Sequence, residues 1–146
     1  MNTKQTIAIL GATGRMGEAI AENLAKGNYR LLLKGSDKQQ LDGLVDSIQQ
    51  ATGNPDVEAA VCDKDTCWEA DIIVLAVPHH RPEQVANIKE VANQKLVVAI
   101  EDAEAISRGL LQNLLPYSRV EYVKHGDPEV VAAEVAAAIE AVTENM

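Results

Sequence analysis

Apolar residues fall along this chain in two rhythms. Short unbroken runs occur at Thr6–Leu10 (TIAIL), Arg30–Lys34 (RLLLK), Asp71–Val77 (DIIVLAV) and Leu96–Ile100. Continuous runs of that length are what a parallel strand buried on both faces requires. Val57–Cys62 and Val120–Val123 are weaker strand candidates. Between the runs, apolar positions recur every three or four residues. After Gly17 they are Ala19, Ile20, Leu24 and Ala25, with Gly27 as a stop signal. In Lys38–Gln50 they are Leu41, Leu44, Val45 and Ile48, and Gly53-Asn54-Pro55 then makes a turn. Further helices are predicted over Pro82–Val91, over Ala103–Leu115 up to Pro116, and over Pro128–Val142 with Asp127 as its N-cap. Lys64–Ala70 reads as a linker or one helical turn.

Strand and helix alternate throughout. The expected architecture is therefore α/β, a doubly wound parallel sheet in three layers, Rossmann-like, with helices on both faces. Residues 1–146 are read as one domain, without internal repeat or linker.

Composition narrows the partners. With 47% hydrophobic but only 3% aromatic residues, the core must be built from Val, Ile, Leu and Ala. A formal net charge of −9 disfavours nucleic acid and anionic membranes as partners. It leaves room for a phosphate-bearing ligand, because a local nest of backbone N–H groups binds phosphate against an unfavourable global field. Cys62 and Cys67 form no CxxC pattern, and no apolar stretch approaches membrane-spanning length. A soluble cytoplasmic protein is the expectation.

The candidate chemistry lies first in Gly11-Ala12-Thr13-Gly14-Arg15-Met16-Gly17, a GxxGxxG variant that follows the first strand and opens the first helix. Gly11 permits a sharp turn, Gly14 lets the backbone approach a pyrophosphate, and Gly17 brings the helix close to the sheet. The helix start, with Arg15 and Met16, offers N–H groups and partial positive charge to phosphates, and Thr13 and Arg15 can add contacts. The second strand ends in Lys34-Gly35-Ser36-Asp37-Lys38. Ser36 with Lys34 or Lys38 can hold the 2′-phosphate of NADP. Asp37 opposes that unless it caps the next helix, and as a ribose ligand it would favour NAD. NADP is the preferred cofactor, with NAD the alternative.

The fourth strand leads into Ala76-Val77-Pro78-His79-His80, where its backbone can pass along the pyrophosphate and nicotinamide. His79 and His80 are titratable candidates there, though adjacent loop histidines are more often solvent-exposed or caps. No metal site is expected from Cys62, Cys67 and His79. Asp63, Asp65, Glu101, Asp102 and Glu104 read as caps and solvated acids, with Glu101 or Asp102 bordering the cofactor at most.

The segment from Thr6 to Asp37 resembles the start of the coenzyme F420-dependent NADP oxidoreductase family. The resemblance rests on Gly11, Thr13, Gly14 and Gly17, on Gly35-Ser36-Asp37 against a Gly-Ser-Arg segment, and on Ala70–Pro78 as a fourth strand with its Val-Pro turn. It implies a dinucleotide site in which Gly35-Ser36 faces the 2′-phosphate, with Asp37 standing where the family has Arg. It covers roughly the first hundred residues. Glu101-Asp102-Ala103-Glu104 departs from the Asp- and Asn-Pro-containing segment that the family has next. Gly14–Gly17 is also similar to the turn of dihydrodipicolinate reductases, whose later catalytic His and Lys motif is not found. Pyrroline-carboxylate and prephenate enzymes share the cofactor domain but carry long helical C-terminal parts.

Three functions stay open at this stage. One is an oxidoreductase moving hydride between NADP(H) and a small or flavin-like acceptor, where catalysis is mainly the orientation of two rings. Another is a non-catalytic nucleotide-binding or sensor module. The last is an association domain with a vestigial site, in which the Ala/Val-rich terminal helix serves as a homodimer face rather than a cover for the sheet. The second substrate is unspecified.

Overall fold

The computed structural model describes residues 5–27, 29–35, 37–60, 66, 68–76, 95–101, 118–124 and 126–144. Its strands are β1 (Gln5–Leu10), β2 (Tyr29–Lys34), β3 (Val57–Ala59), β4 (Ile72–Leu75), β5 (Leu96–Glu101) and β6 (Arg119–Lys124). Its helices are α1 (Arg15–Ala25), α2 (Lys38–Thr52) and α3 (Pro128–Glu144). The strands form one sheet in the order β3-β2-β1-β4-β5-β6, and every neighbouring pair is parallel. The order reverses between β1 and β4, which makes that junction the switch point of a doubly wound sheet.

Both faces of the sheet bury apolar side chains, and the two-residue period of a strand sorts them. Ile7, Ile9, Leu31, Leu33, Ile72, Val74, Leu96, Val98 and Ile100 join the helices in one cluster. The helical contribution comes from Ile20 and Leu24 of α1, Leu41, Leu44 and Ile48 of α2, and Val131, Val135 and Ile139 of α3. Ala8, Ile73, Leu75, Val97, Ala99 and Val120 form the second cluster on the opposite face. The unbroken apolar runs in the sequence are this two-faced burial. The helices expected to cover the second face, over Pro82–Val91 and Ala103–Leu115, lie outside the described residues, as do Lys64, Asp65 and Cys67; Thr66, Trp68 and Glu69 are helical, as the one-turn reading of that segment expects.

The terminal helix serves as a cover: α3 packs along α1 and over β5 and β6. Its small Ala residues let it approach closely, with Val131, Ala132, Val135 and Ile139 buried. The expected cap is present, since the Asp127 carboxylate accepts from the Glu129 N–H at 3.0 Å.

Most element ends shift from the sequence expectation by one or two residues, and three of the differences bear on the site or the sheet. Helix α1 starts at Arg15, so Gly17 lies inside its first turn rather than before it. The third strand is described over Val57–Ala59, at the sheet edge with only Val57 buried, and Val61 and Cys62 of the expected run lie outside the described residues. Asp71 stands outside β4. Its side chain accepts from the Thr6 N–H at 3.0 Å, which ties the starts of β1 and β4 together.

Candidate functional site

Immediately after β1, Gly11 adopts φ +87°, a left-handed conformation that side chains disfavour. This turns the chain back over the end of β2, where the N–H groups of Gly11 and Ala12 both donate to the Lys34 carbonyl at 2.9 Å. Ala12 is buried beneath the turn. Gly14 is the N-cap of α1, in ordinary extended backbone, and no side chain caps the helix. The first intrahelical bond runs from the Glu18 N–H to the Gly14 carbonyl at 2.9 Å. The N–H groups of Arg15, Met16 and Gly17 precede it, and they carry the positive end of the helix dipole.

The three glycines have different physical causes. A Cβ on Gly17 would sit 2.2 Å from the Gly11 carbonyl oxygen and 2.7 Å from the Ala12 Cα. Both are backbone atoms, so glycine is obligatory for α1 to rest on the turn. A Cβ on Gly14 would meet nothing nearer than the Gly11 oxygen at 3.7 Å, an ordinary contact. The fold itself makes no demand for glycine at this exposed position. Bareness there matters only to something that approaches the helix from outside, as a pyrophosphate does.

The remaining candidates divide by location. Thr13 is half-buried in the turn and Arg15 is exposed at the first position of α1. Met16 packs its side chain against the core, so only its backbone faces the turn. Asp37 is the N-cap of α2: one carboxylate oxygen accepts from the N–H groups of Gln39 at 2.9 Å and Gln40 at 3.2 Å. Of the two roles open to it in sequence, this is the capping one. Lys38 follows as the first, exposed residue of α2. Lys34, at the end of β2, donates from Nζ to the Gly35 carbonyl at 3.2 Å. Ala76 follows β4, buried, with its N–H donating to the Leu10 carbonyl at 2.9 Å. Leu10 and Ala76 thus flank the switch point, and the turn and the ends of β2 and β4 share one edge. Ser36, Val77, Pro78, His79 and His80 lie outside the described residues, as do Cys62, Cys67, Asp63, Asp65, Asp102 and Glu104. Among the described residues, no group of three His, Cys, Asp or Glu side chains is placed to hold a metal, and no helix is long and apolar enough to cross a membrane.

One partner in this arrangement was not readable from the sequence pattern. A Cβ on Gly35 would lie 2.6 Å from Thr13 Cγ2, 2.8 Å from its Oγ1 and 3.2 Å from its Cβ. The Thr13 side chain therefore occupies the space that Gly35 leaves.

Strand order, switch point and glycine turn together define a doubly wound domain of the dinucleotide-binding class. Residues 6–103 match the family described as NADP oxidoreductase, coenzyme F420-dependent, and the chain belongs to that family. It is 29% identical over 98 residues to the F420-dependent NADP reductase of Methanocaldococcus jannaschii, an alignment covering 64% of this chain and 44% of that protein. The chain thus matches less than half the length of this relative. Its fold is shared with (S)-3-hydroxybutyryl-CoA dehydrogenase from Ralstonia eutropha at TM-score 0.67 and 15% identity, over 93% of this chain and 60% of the other. A metagenomic short-chain oxidoreductase in complex with NADP matches at 0.60 and 16%, over 92% and 89%. Quinate dehydrogenase from Corynebacterium glutamicum in complex with NAD matches at 0.60 and 21%, over 80% and 44%. The chain accordingly has a Rossmann fold of the NAD(P)-binding oxidoreductase type.

Proposed function

We propose that this chain binds NADP(H) across the carboxyl edge of its sheet and serves hydride transfer between that cofactor and a small or flavin-like acceptor. The observation that carries the reading is Gly14, a bare helix cap for which the fold has no steric use. The residues present fit the group. The N–H groups opening α1 would hold the pyrophosphate, with Thr13 and Arg15 beside it, and Gly11 and Gly17 would keep the turn low enough for contact. Ala76, with Val77, Pro78 and His79 following it in the chain, would border the nicotinamide half. When bound, the nicotinamide supplies or accepts the hydride. The chain's own task is then to bind, orient and shield the ring from water.

NADP is preferred over NAD on the chemistry of the β2 end. The strand closes on Lys34, a cation, and the nearest acid, Asp37, is engaged as a helix cap. Ser36 and Lys38 complete the set that would meet a 2′-phosphate. The F420-dependent activity named for the relative makes a deazaflavin the acceptor to try first.

Calorimetric titration with NADPH and NADH tests the cofactor reading. The expected result is saturable binding with NADPH tighter. Preference for NADH would move Asp37 to the ribose, and no binding of either at millimolar concentration would overturn the reading. Assay of hydride transfer to F420 and to flavins follows. Tight NADPH binding without turnover would favour the non-catalytic nucleotide-binding module.

A further inference from the structure

The turn after β1 and the end of β2 meet twice. The first meeting is the pair of hydrogen bonds from the Gly11 and Ala12 N–H groups to the Lys34 carbonyl. The second is steric: Thr13 fills the space beside Gly35, with three of its side-chain atoms within 3.2 Å of where a Cβ would stand. Two of those positions are closer than any real Cβ tolerates, and Thr13 is β-branched, with few rotamers to retreat into. Gly35 has no positive φ to explain its identity, since Gly11 and Gly53 are the positive-φ glycines among the described residues. Its cause is therefore the seat it gives Thr13.

We infer that Gly35 is a positioning residue for the dinucleotide, acting through Thr13. With its side chain held against the end of β2, Thr13 fixes the height of the turn between Gly11 and Gly14, and hence where the first N–H groups of α1 point. A methyl group at position 35 would push Thr13 outward. Because the turn is also tied to Lys34, the displacement would pass into the phosphate-binding backbone rather than be absorbed by a loose loop. The inference rests on the proposed cofactor reading and extends it to a residue that need not touch the ligand.

The test is a double-substitution cycle read by NADPH affinity and thermal midpoint in the wild type, Gly35→Ala, Thr13→Ala and the double variant. Thr13→Ala removes Cγ2 and Oγ1, leaving only the 3.2 Å contact, which a shift of a few tenths of an ångström relieves. Gly35→Ala is expected to weaken NADPH binding about tenfold or more when Thr13 is present and less than about twofold when Ala stands there. An equal loss in both backgrounds overturns the inference while leaving the cofactor reading intact. Failure of the wild type to bind NADPH or NADH overturns both. Should Gly35→Ala not fold, Thr13→Val and Thr13→Ala are compared in the native background. Val keeps the branched shape in the seat and Ala empties it, so the Ala variant should bind NADPH several-fold more weakly. Equal affinities would show that the seat has no bearing on binding.

Discussion

Three described helices begin at the carboxyl edge of the sheet, and they do not begin alike. Helices α2 and α3 start behind aspartates whose carboxylates accept from their own backbone, Asp37 from Gln39 and Gln40, and Asp127 from Glu129. Helix α1 starts behind Gly14 with no side-chain cap. An aspartate cap stabilises a helix more than glycine does, but only by a few tenths of a kcal/mol. Stability alone therefore favours the capped form weakly, and the bare start of α1 matches the requirement of an anionic ligand instead. A capping carboxylate would occupy the position proposed for the phosphate and repel it.

The largest expected effect breaks the start of α1 outright. Gly17→Ala places a Cβ within 2.9 Å of three backbone atoms of Gly11 and Ala12, and none of them can rotate away. The helix must lift from the turn, carrying Ile20, Ala21 and Leu24 partly out of the core. A loss of about 3 kcal/mol is expected in urea unfolding, at the upper end for overpacking, together with loss of dinucleotide binding.

Next comes the substitution that makes α1 resemble its neighbours. Gly14→Asp has room for its side chain, so its folding stability should stay within about 0.5 kcal/mol of wild type or rise slightly. NADPH affinity should fall about 100-fold, because like charges brought together at a binding site cost several kcal/mol. An unchanged affinity would remove α1 from the phosphate site.

The opposite edge of the sheet supplies the control. There, polar side chains serve the chain's own backbone. The Asn54 amide donates to the carbonyls of Ala25 at 3.2 Å and Tyr29 at 3.0 Å, while its oxygen accepts from the Asp56 N–H at 2.8 Å. Lys95 Nζ donates to the Trp68 and Ala70 carbonyls. Asn54 is buried, so Asn54→Ala leaves three backbone groups short of a partner and is expected to cost about 2 kcal/mol. Below the melting transition, NADPH affinity should be unaltered, because these contacts join the end of α1 and the starts of β2 and β3. A matching loss of affinity would mean that the two edges are not independent.

These residues also mark what the sequence could and could not tell. The roles of Gly11 and Gly17 were legible because an apolar run, a turn and a helical period adjoin one another, and local geometry dictates both. Parallel strands were legible because two-faced burial leaves unbroken apolar runs. The helical period shows only after Gly17, three residues past the start of α1 at Arg15, because an uncapped helix lacks the polar residue that announces a beginning. Asn54 looked like one member of a turn with Gly53 and Pro55, and its partners at Ala25 and Tyr29 are brought to it only by tertiary packing. Gly35 and Thr13 are a contact between two loops, which no periodicity records. Asp37 offers two roles of equal merit in sequence, and the hydrogen bonds from Gln39 and Gln40 show that it fills the capping one.

The smallest expected effect is therefore on Asp37, and it sharpens the comparison most finely. Asp37→Ala uncaps α2 and should cost about 1 kcal/mol, while Asp37→Asn keeps a good capping acceptor and should cost only a few tenths. If the carboxylate serves only the helix, NADH affinity is unchanged in both variants, and NADPH binds slightly more tightly because a negative charge near the 2′-phosphate is gone. If the carboxylate also holds the adenine ribose, both variants lose NADH affinity, the Asn variant included, although its helix remains capped. Stability thus follows whether position 37 can accept a hydrogen bond, and the NADH response follows whether it carries charge. Measuring both on the same two variants separates the capping role from a ribose-binding one.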